Sequence, residues 1–196
     1  MENKVLKIIK ISSAFALALL FLTTVLYSYW EYMSSFYYMT FLGNFLTGIF
    51  LFIVGILWIF NKNIPQFLIL CFTVLMALVF GVTMATQDFY FSDGYLFLHV
   101  INPLLMVIFY LLISNQLSVK WYFVFTACAM PLAYMIFAFI FGAHTGDYIY
   151  YYLDYKKFGT GNTTLFILGI AVGLVAASIG LYYLNRLIHK RILKNI

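Results

Sequence analysis

Six apolar stretches dominate this chain, at 11–30, 36–60, 67–87, 95–114, 121–142 and 164–185. Each is close to the roughly 20 residues that a helix needs to cross the hydrocarbon core of a bilayer. In that core every backbone N–H and C=O must be satisfied within the protein, so continuous apolar runs of this length fold as helices. Charged residues make up 9% of the chain and the mean hydropathy is +1.01, against about 25% charged residues in an ordinary soluble domain. The sequence therefore predicts an all-α, polytopic membrane protein. It has six transmembrane helices in a single domain spanning 1–196, and the 196 residues leave no length for a second one.

The basic residues set the direction of the crossings. Lys4, Lys7, Lys10, Lys62, Lys120, Arg186, Lys190, Arg191 and Lys194 fall on one side, and only Lys156 and Lys157 on the other. Cytoplasmic loops carry the excess of Lys and Arg, so both termini are expected in the cytoplasm. An odd number of helices would scatter these charges over both faces. Glu31, Asp88, Asp93, Asp147 and Asp154 all fall outside. The basic start MENKVLKIIK followed by ISSAFALALLFLTTVLYSYW is read as an uncleaved first helix, because its apolar run has spanning length. The net charge of +5 is sorted by side, which argues against nucleic acid as a partner. Cys71 and Cys128 lie singly in separate apolar runs and read as small hydrophobes. No Cys/His spacing suggests a metal, and no nucleotide or cofactor fingerprint is present, so no cofactor is expected. The one long loop, about 143–163, is outer and rich in tyrosine, suited to lie at the interface or cap the bundle.

Within this apolar frame one ionisable group stands out. His99 sits inside YLFLHVINPLLMVIFYLLIS, and ionisable groups at membrane depth generally face the protein interior and mark functional sites. On the fourth stretch His99, Asn102, Pro103, Met106 and Tyr110 share a face. On the second, Thr40, Gly43, Asn44 and Thr47 recur at i, i+3, i+4 and i+7. Pro103 removes the N–H that would bond the carbonyl of His99 and so predicts a kink. Counted from Phe36 and Tyr95, Thr40 and His99 both lie about 6 Å below the outer interface. Thr83, Thr86 and Gln87 end the third stretch at the same side. On the sixth, Gly169, Gly173, Ala177 and Gly180 form a small-residue face that reads as helix packing.

Threonine becomes a nucleophile when a neighbouring base removes its proton, and neutral imidazole is a suitable base. Asn44 and Asn102, each near one of the pair, are candidate donors to a developing oxyanion. Thr83 is a candidate to line the same cavity. Lys156 and Lys157 are candidates to hold an anionic head group, or are solvated loop cations beside Asp154. No carboxylate is placed to orient His99 unless an outer-loop aspartate folds inward. The bland reading stands beside this one: a membrane threonine bonds its own or a neighbouring helix, and His99 is a satisfied polar core residue. His144 falls in the outer loop and His189 in the basic tail, where it reads as solvated.

Three segments carry a family resemblance, in order. YYMTFLGN (37–44) looks like Tyr-Phe-Thr-x-x-Ser-Asn, LHVINPLL (98–105) like His-x-x-x-Pro, and HTGDYIYYYLD (144–154) like Thr-Gly-Trp-Tyr-Pro-Tyr-Pro-Phe-Leu-Asp. Over about 30–185 the chain resembles the androgen-induced and androgen-dependent TFPI-regulating membrane proteins, including their bacterial branch. Met39, Gly43, Asp147, Ile149 and Tyr151 depart from the family's Phe, Ser, Trp and two prolines. The resemblance implies a six-helix fold and, from the animal members, threonine-type hydrolysis of fatty acid esters of hydroxy fatty acids. It puts the nucleophile on Thr40 and the histidine on His99, with a lipid ester as substrate and a bacterial plasma membrane as setting. The alternatives are a non-enzymatic lipid-binding or sensing protein, in which the same cavity holds an amphiphile, and a small transporter. The sequence disfavours the transporter because it lacks paired intramembrane charges.

Overall fold

The computed structural model describes residues 4–31, 38–86 and 93–191, and these are helical and loop throughout, with no strand among them. Six helices are long and apolar enough to cross a membrane: Lys4–Ser28, Met39–Ile59, Gln66–Met84, Gly94–Ile113, Phe123–Thr145 and Thr160–Arg191. The chain thus has the make-up of a multi-pass membrane protein. The first three lie in α1 (Lys4–Glu31), α2 (Met39–Ile59) and α3 (Gln66–Thr86). The fourth comprises α4 (Asp93–Leu96), a π-helical turn (Phe97–Ile101) and α5 (Asn102–Ile113). The fifth is α6 (Phe123–Ala127) with α7 (Ala129–Thr145). After a 3₁₀ turn (Tyr151–Leu153) and α8 (Tyr155–Phe158), the sixth is α9 (Thr160–Arg191).

Two helices outrun their apolar stretches. α1 begins at Lys4 and α9 continues to Arg191 because Lys, Arg, Leu and Ile sustain a helix past the hydrophobic boundary. The fifth crossing is broken at Cys128. Pro131 has no N–H to give the carbonyl of Ala127, and the Cys128 N–H instead reaches back to Phe125 at 3.1 Å.

α3 is the central helix and packs against α2, α5, α6, α7 and α9. Ile69, Leu70, Val74 and Met76 on it are fully buried. α1 and α2 form a close pair. A methyl added at Gly48 would stand 2.9 Å from Leu22, and one at Gly55 2.9 Å from the Phe15 ring, so a side chain at either position would force its neighbour on α1 to shift. At one end, Asn185 of α9 donates from Nδ2 to the carbonyls of Tyr110 and Ser114 (2.8 and 2.9 Å). Its Oδ1 accepts from the N–H of Gln116. Arg186 donates to the carbonyls of Gln116, Leu117 and Val119. These bonds clasp the α5–α6 loop to the last helix. The expectation of close packing at Gly169, Gly173 and Gly180 is corrected: a methyl on any of the three would meet nothing within 4 Å. That face of α9 borders open space because neighbouring helices do not cover it.

Candidate functional site

α2 opens with Met39 and Thr40, and the π-turn of the fourth crossing carries His99, so both residues sit at the same end of the bundle. Thr40 Oγ1 lies 3.1 Å from His99 Nε2. The opposite ring nitrogen, Nδ1, lies 3.1 Å from the backbone carbonyl of Tyr95. A carbonyl only accepts. In neutral imidazole Nδ1 must then carry the proton and donate it to Tyr95, which leaves the Nε2 lone pair to accept from the Thr40 hydroxyl. The Tyr95 ring stacks on the imidazole with centroids 4.1 Å apart and restrains its rotation.

The π-turn sets this orientation. The Asn102 N–H bonds the carbonyl of Phe97, five residues back, which widens the helix by one residue just before Pro103. The kink expected at Pro103 is thus realised as a π-helical turn. The group orienting His99 is the backbone carbonyl of Tyr95, not Asp147 or Asp154. Asp147 is exposed, and Asp154 is buried as the N-cap of α8, accepting from the N–H groups of Lys156 and Lys157.

Asn44 and Asn102 are fully buried, and their amide hydrogens are already used. Asn44 Nδ2 donates to the carbonyls of Thr40 (2.7 Å) and Leu98 (3.0 Å). Asn102 Nδ2 donates to Asn44 Oδ1 (2.8 Å) and Thr24 Oγ1 (2.9 Å). With no hydrogen left to offer, neither is an oxyanion donor here, and this corrects their expected role. They form a strut joining the first, second and fourth crossings directly beneath Thr40 and His99. The sequence showed polar residues one turn from each member of the pair but not which acceptors would claim them.

Thr40 and His99 open onto one narrow cavity of about 30 Å³, lined also by Thr83, Leu78, Val82, Met135, Tyr150 and Tyr152. Tyr150 and Tyr152 come from the segment between α7 and α8, which forms one wall of the cavity. Gly142 makes room for this loop, since a methyl there would clash with the Tyr148 ring. Tyr150 and Tyr152 stack at 5.3 Å, and the hydroxyls of Tyr134 and Tyr150 are hydrogen-bonded to each other. Burial pushes the Tyr150 and Tyr152 hydroxyls above the usual tyrosine range, so both remain protonated and able to donate. These tyrosines were not singled out from sequence; the run YIYYYL was the only signal.

Lys156 and Lys157 do not line the cavity. Lys157 Nζ lies 3.4 Å from Asp154 Oδ2 with its side chain almost wholly exposed, and Lys156 lies over the Tyr155 ring. His144 is exposed, whereas His189 is half-buried and its Nε2 is shielded from solvent, contrary to a solvated tail residue. Tyr37, Phe36, Gln87 and Asp88, and the side chains of Thr86 and Asp93, lie outside the described residues. No group of three or more potential metal ligands occurs among the described residues.

Beside the cavity runs a second, larger space. A groove of about 500 Å³ lies between α3 and α9, lined by Ala77, Leu78, Gly81, Val82, Phe166 and Gly169 among others. Leu78 and Val82 border both spaces. No protein-family model matches this chain, and no curated protein or solved structure matches it.

Proposed function

We propose that this protein is an integral-membrane lipid ester hydrolase with Thr40 as nucleophile and His99 as general base. The observation that carries the reading is the 3.1 Å contact between Thr40 Oγ1 and His99 Nε2, with Nδ1 committed to the Tyr95 carbonyl. That arrangement offers the hydroxyl a lone pair within hydrogen-bond reach, the geometric requirement for a general base. The resemblance of the three motifs to a family of membrane threonine hydrolases supports the same assignment.

In the proposed reaction Thr40 Oγ attacks the ester carbonyl carbon as its proton passes to His99 Nε2. The tetrahedral intermediate collapses, the bond to the alcohol oxygen breaks, and that oxygen takes the proton from Nε2. Water then attacks the acyl-threonine carbonyl as its proton passes to the same nitrogen; the bond to Thr40 Oγ breaks, that oxygen takes the proton back from Nε2, and the acid is released. Thr83 lines the same cavity, and its hydroxyl is the side-chain donor assigned to the oxyanion.

A cavity of about 30 Å³ holds the reacting carbonyl but no acyl chain. The chain is assigned to the α3–α9 groove, reached past Leu78 and Val82. Nine of the eleven basic residues fall on the side opposite this site. By the positive-inside rule both termini are cytoplasmic, and substrate enters from the outer leaflet of a plasma membrane. The assay is hydrolysis of p-nitrophenyl esters of graded chain length by purified protein. Wild type is expected to turn them over, and Thr40→Ala and His99→Ala to be inactive. Gly169→Trp is expected to lose long-chain esters while keeping short ones. Turnover unchanged in both site variants refutes the reading. Intact ester that co-purifies and survives long incubation favours the lipid-binding alternative.

A further inference from the structure

At the opposite end of the bundle the ends of four helices frame a polar pocket of about 220 Å³. Lys7 and Lys10 come from α1, Trp58 from α2, Asn61, Lys62 and Asn63 from the α2–α3 loop, Gln66 from α3, and Ile113 and Asn115 from the end of α5 and the residues after it. We propose that this pocket binds a phosphate-bearing anion, with the head group of an anionic phospholipid and a free phosphate as its two possible sources.

Three lysines from two separate segments line one concavity, and no carboxylate among the described residues lines it with them. The positive-inside rule accounts for the sign of charge on this face, but not for its gathering into a pocket. Lys7 and Lys10 are only partly exposed, so an anion held between them and Lys62 would be screened less than at an open surface. Basic pockets between helices at this level of a membrane suit phosphate head groups. The amides of this pocket are held by the protein itself, with Gln66 Nε2 donating to the Ile64 carbonyl (3.3 Å). Gln66 is fixed with Oε1 accepting from Ser114 Oγ (3.0 Å) and the Asn115 N–H (3.1 Å). Asn61 takes a left-handed backbone (φ 54) at the pocket rim, where its Oδ1 accepts from Lys7 Nζ. The first turn of α3, a helix of 21 residues with no acidic residue there, points its leading N–H groups to this end.

The other wall differs in character. Trp58, Ile64 and Ile113 supply apolar surface beside the lysines. A pocket cationic on one side and apolar on the other matches an amphiphile whose phosphate meets the lysines while its glycerol and chain start lie against Trp58. The inference is independent of the ester-hydrolase reading, because no residue is shared between the two sites.

The test is thermal unfolding of the full chain in a neutral detergent, titrated separately with short-chain phosphatidylglycerol, phosphatidylcholine of equal chain length, and inorganic phosphate. The comparison is between wild type, the pair Lys7→Gln/Lys62→Gln, and a control of equal charge loss on the same face, Lys190→Gln/Arg191→Gln. Phosphatidylglycerol is expected to raise the midpoint of wild type and control alike. Its apparent affinity is expected to fall about thirtyfold in the pocket pair, at roughly fivefold per lysine. Lys7→Arg/Lys62→Arg should restore it. A matching shift with inorganic phosphate alone identifies the source as soluble phosphate, and a shift that requires the lipid identifies the head group. The proposal is overturned if no anion shifts the midpoint, if the pocket pair responds like wild type, or if the control loses the response equally.

Discussion

The chemistry assigned to His99 depends on one backbone carbonyl. Because the oxygen of Tyr95 can only accept, it fixes the proton on Nδ1 and leaves Nε2 facing Thr40. A carboxylate in that place would also stabilise imidazolium; a carbonyl orients the ring with a smaller electrostatic contribution. The stacked Tyr95 ring adds a restraint that a substitution can remove without touching the carbonyl. Tyr95→Ala is therefore expected to lower ester turnover by about two- to tenfold. Steady-state kinetics beside His99→Ala, where the loss should be about 10²–10⁴-fold, would distinguish a restraint on the ring from the base itself. The strut beneath the pair makes a different prediction. Asn44→Leu leaves Asn102 without its Oδ1 acceptor and takes a donor from the carbonyls of Thr40 and Leu98. A stability loss of about 1–2 kcal/mol is expected in detergent unfolding, with a fall in turnover as Thr40 loses its register against His99.

The fourth crossing shows what an element contributes that its residues do not. Pro103 made a break near His99 legible in the sequence, since a missing N–H and a ring in the preceding turn disturb any helix. That the break takes the form of a π-turn was not legible. It depends on Asn44 of the second crossing holding the Leu98 carbonyl and on Tyr95 being available to the imidazole. Restoring the N–H with Pro103→Ala lets an ordinary α-helical bond form to the carbonyl of His99. The helix is then expected to tighten by one residue and swing His99 off Thr40. Esterase activity should drop sharply while the unfolding midpoint holds or rises; a variant that keeps full activity contradicts the role given to the π-turn. The segment between α7 and α8 follows the same pattern. Its tyrosine content marked it as interfacial or capping, but the choice of Tyr150 and Tyr152 as cavity walls rests on Gly142 admitting the Tyr148 ring. The polar residues Asn44 and Asn102 were visible as site candidates, yet hydrogen-bond partners on three helices, remote in sequence, decide that they are struts.

At the scale of the whole molecule the six crossings were legible because hydrocarbon thickness leaves a signature of length and apolarity that needs no tertiary information. Which faces of those helices are covered was not. The glycine face of α9 has the spacing of a packing motif, yet Gly169 and Gly173 line the groove that shares Leu78 and Val82 with the cavity of Thr40 and His99. The proposed topology puts the α2–α3 loop inside and the 146–159 loop outside. In intact cells, a cysteine at Asn63 is expected to resist a membrane-impermeant thiol reagent and one at exposed Asp147 to react, both in a background with Cys71 and Cys128 replaced by Ala. The reverse pattern contradicts the orientation. The central claim is that this bundle brings an alcohol from the second crossing and an imidazole from the fourth into one chamber where they act as nucleophile and base. The most direct measurement is peptide mapping, by mass spectrometry, of purified protein treated with a fluorophosphonate probe bearing an alkyl chain. The account predicts a single adduct on Thr40, lost in Thr40→Ala and strongly reduced in His99→Ala. An unlabelled wild type, or an adduct on another residue that persists in both variants, would contradict it.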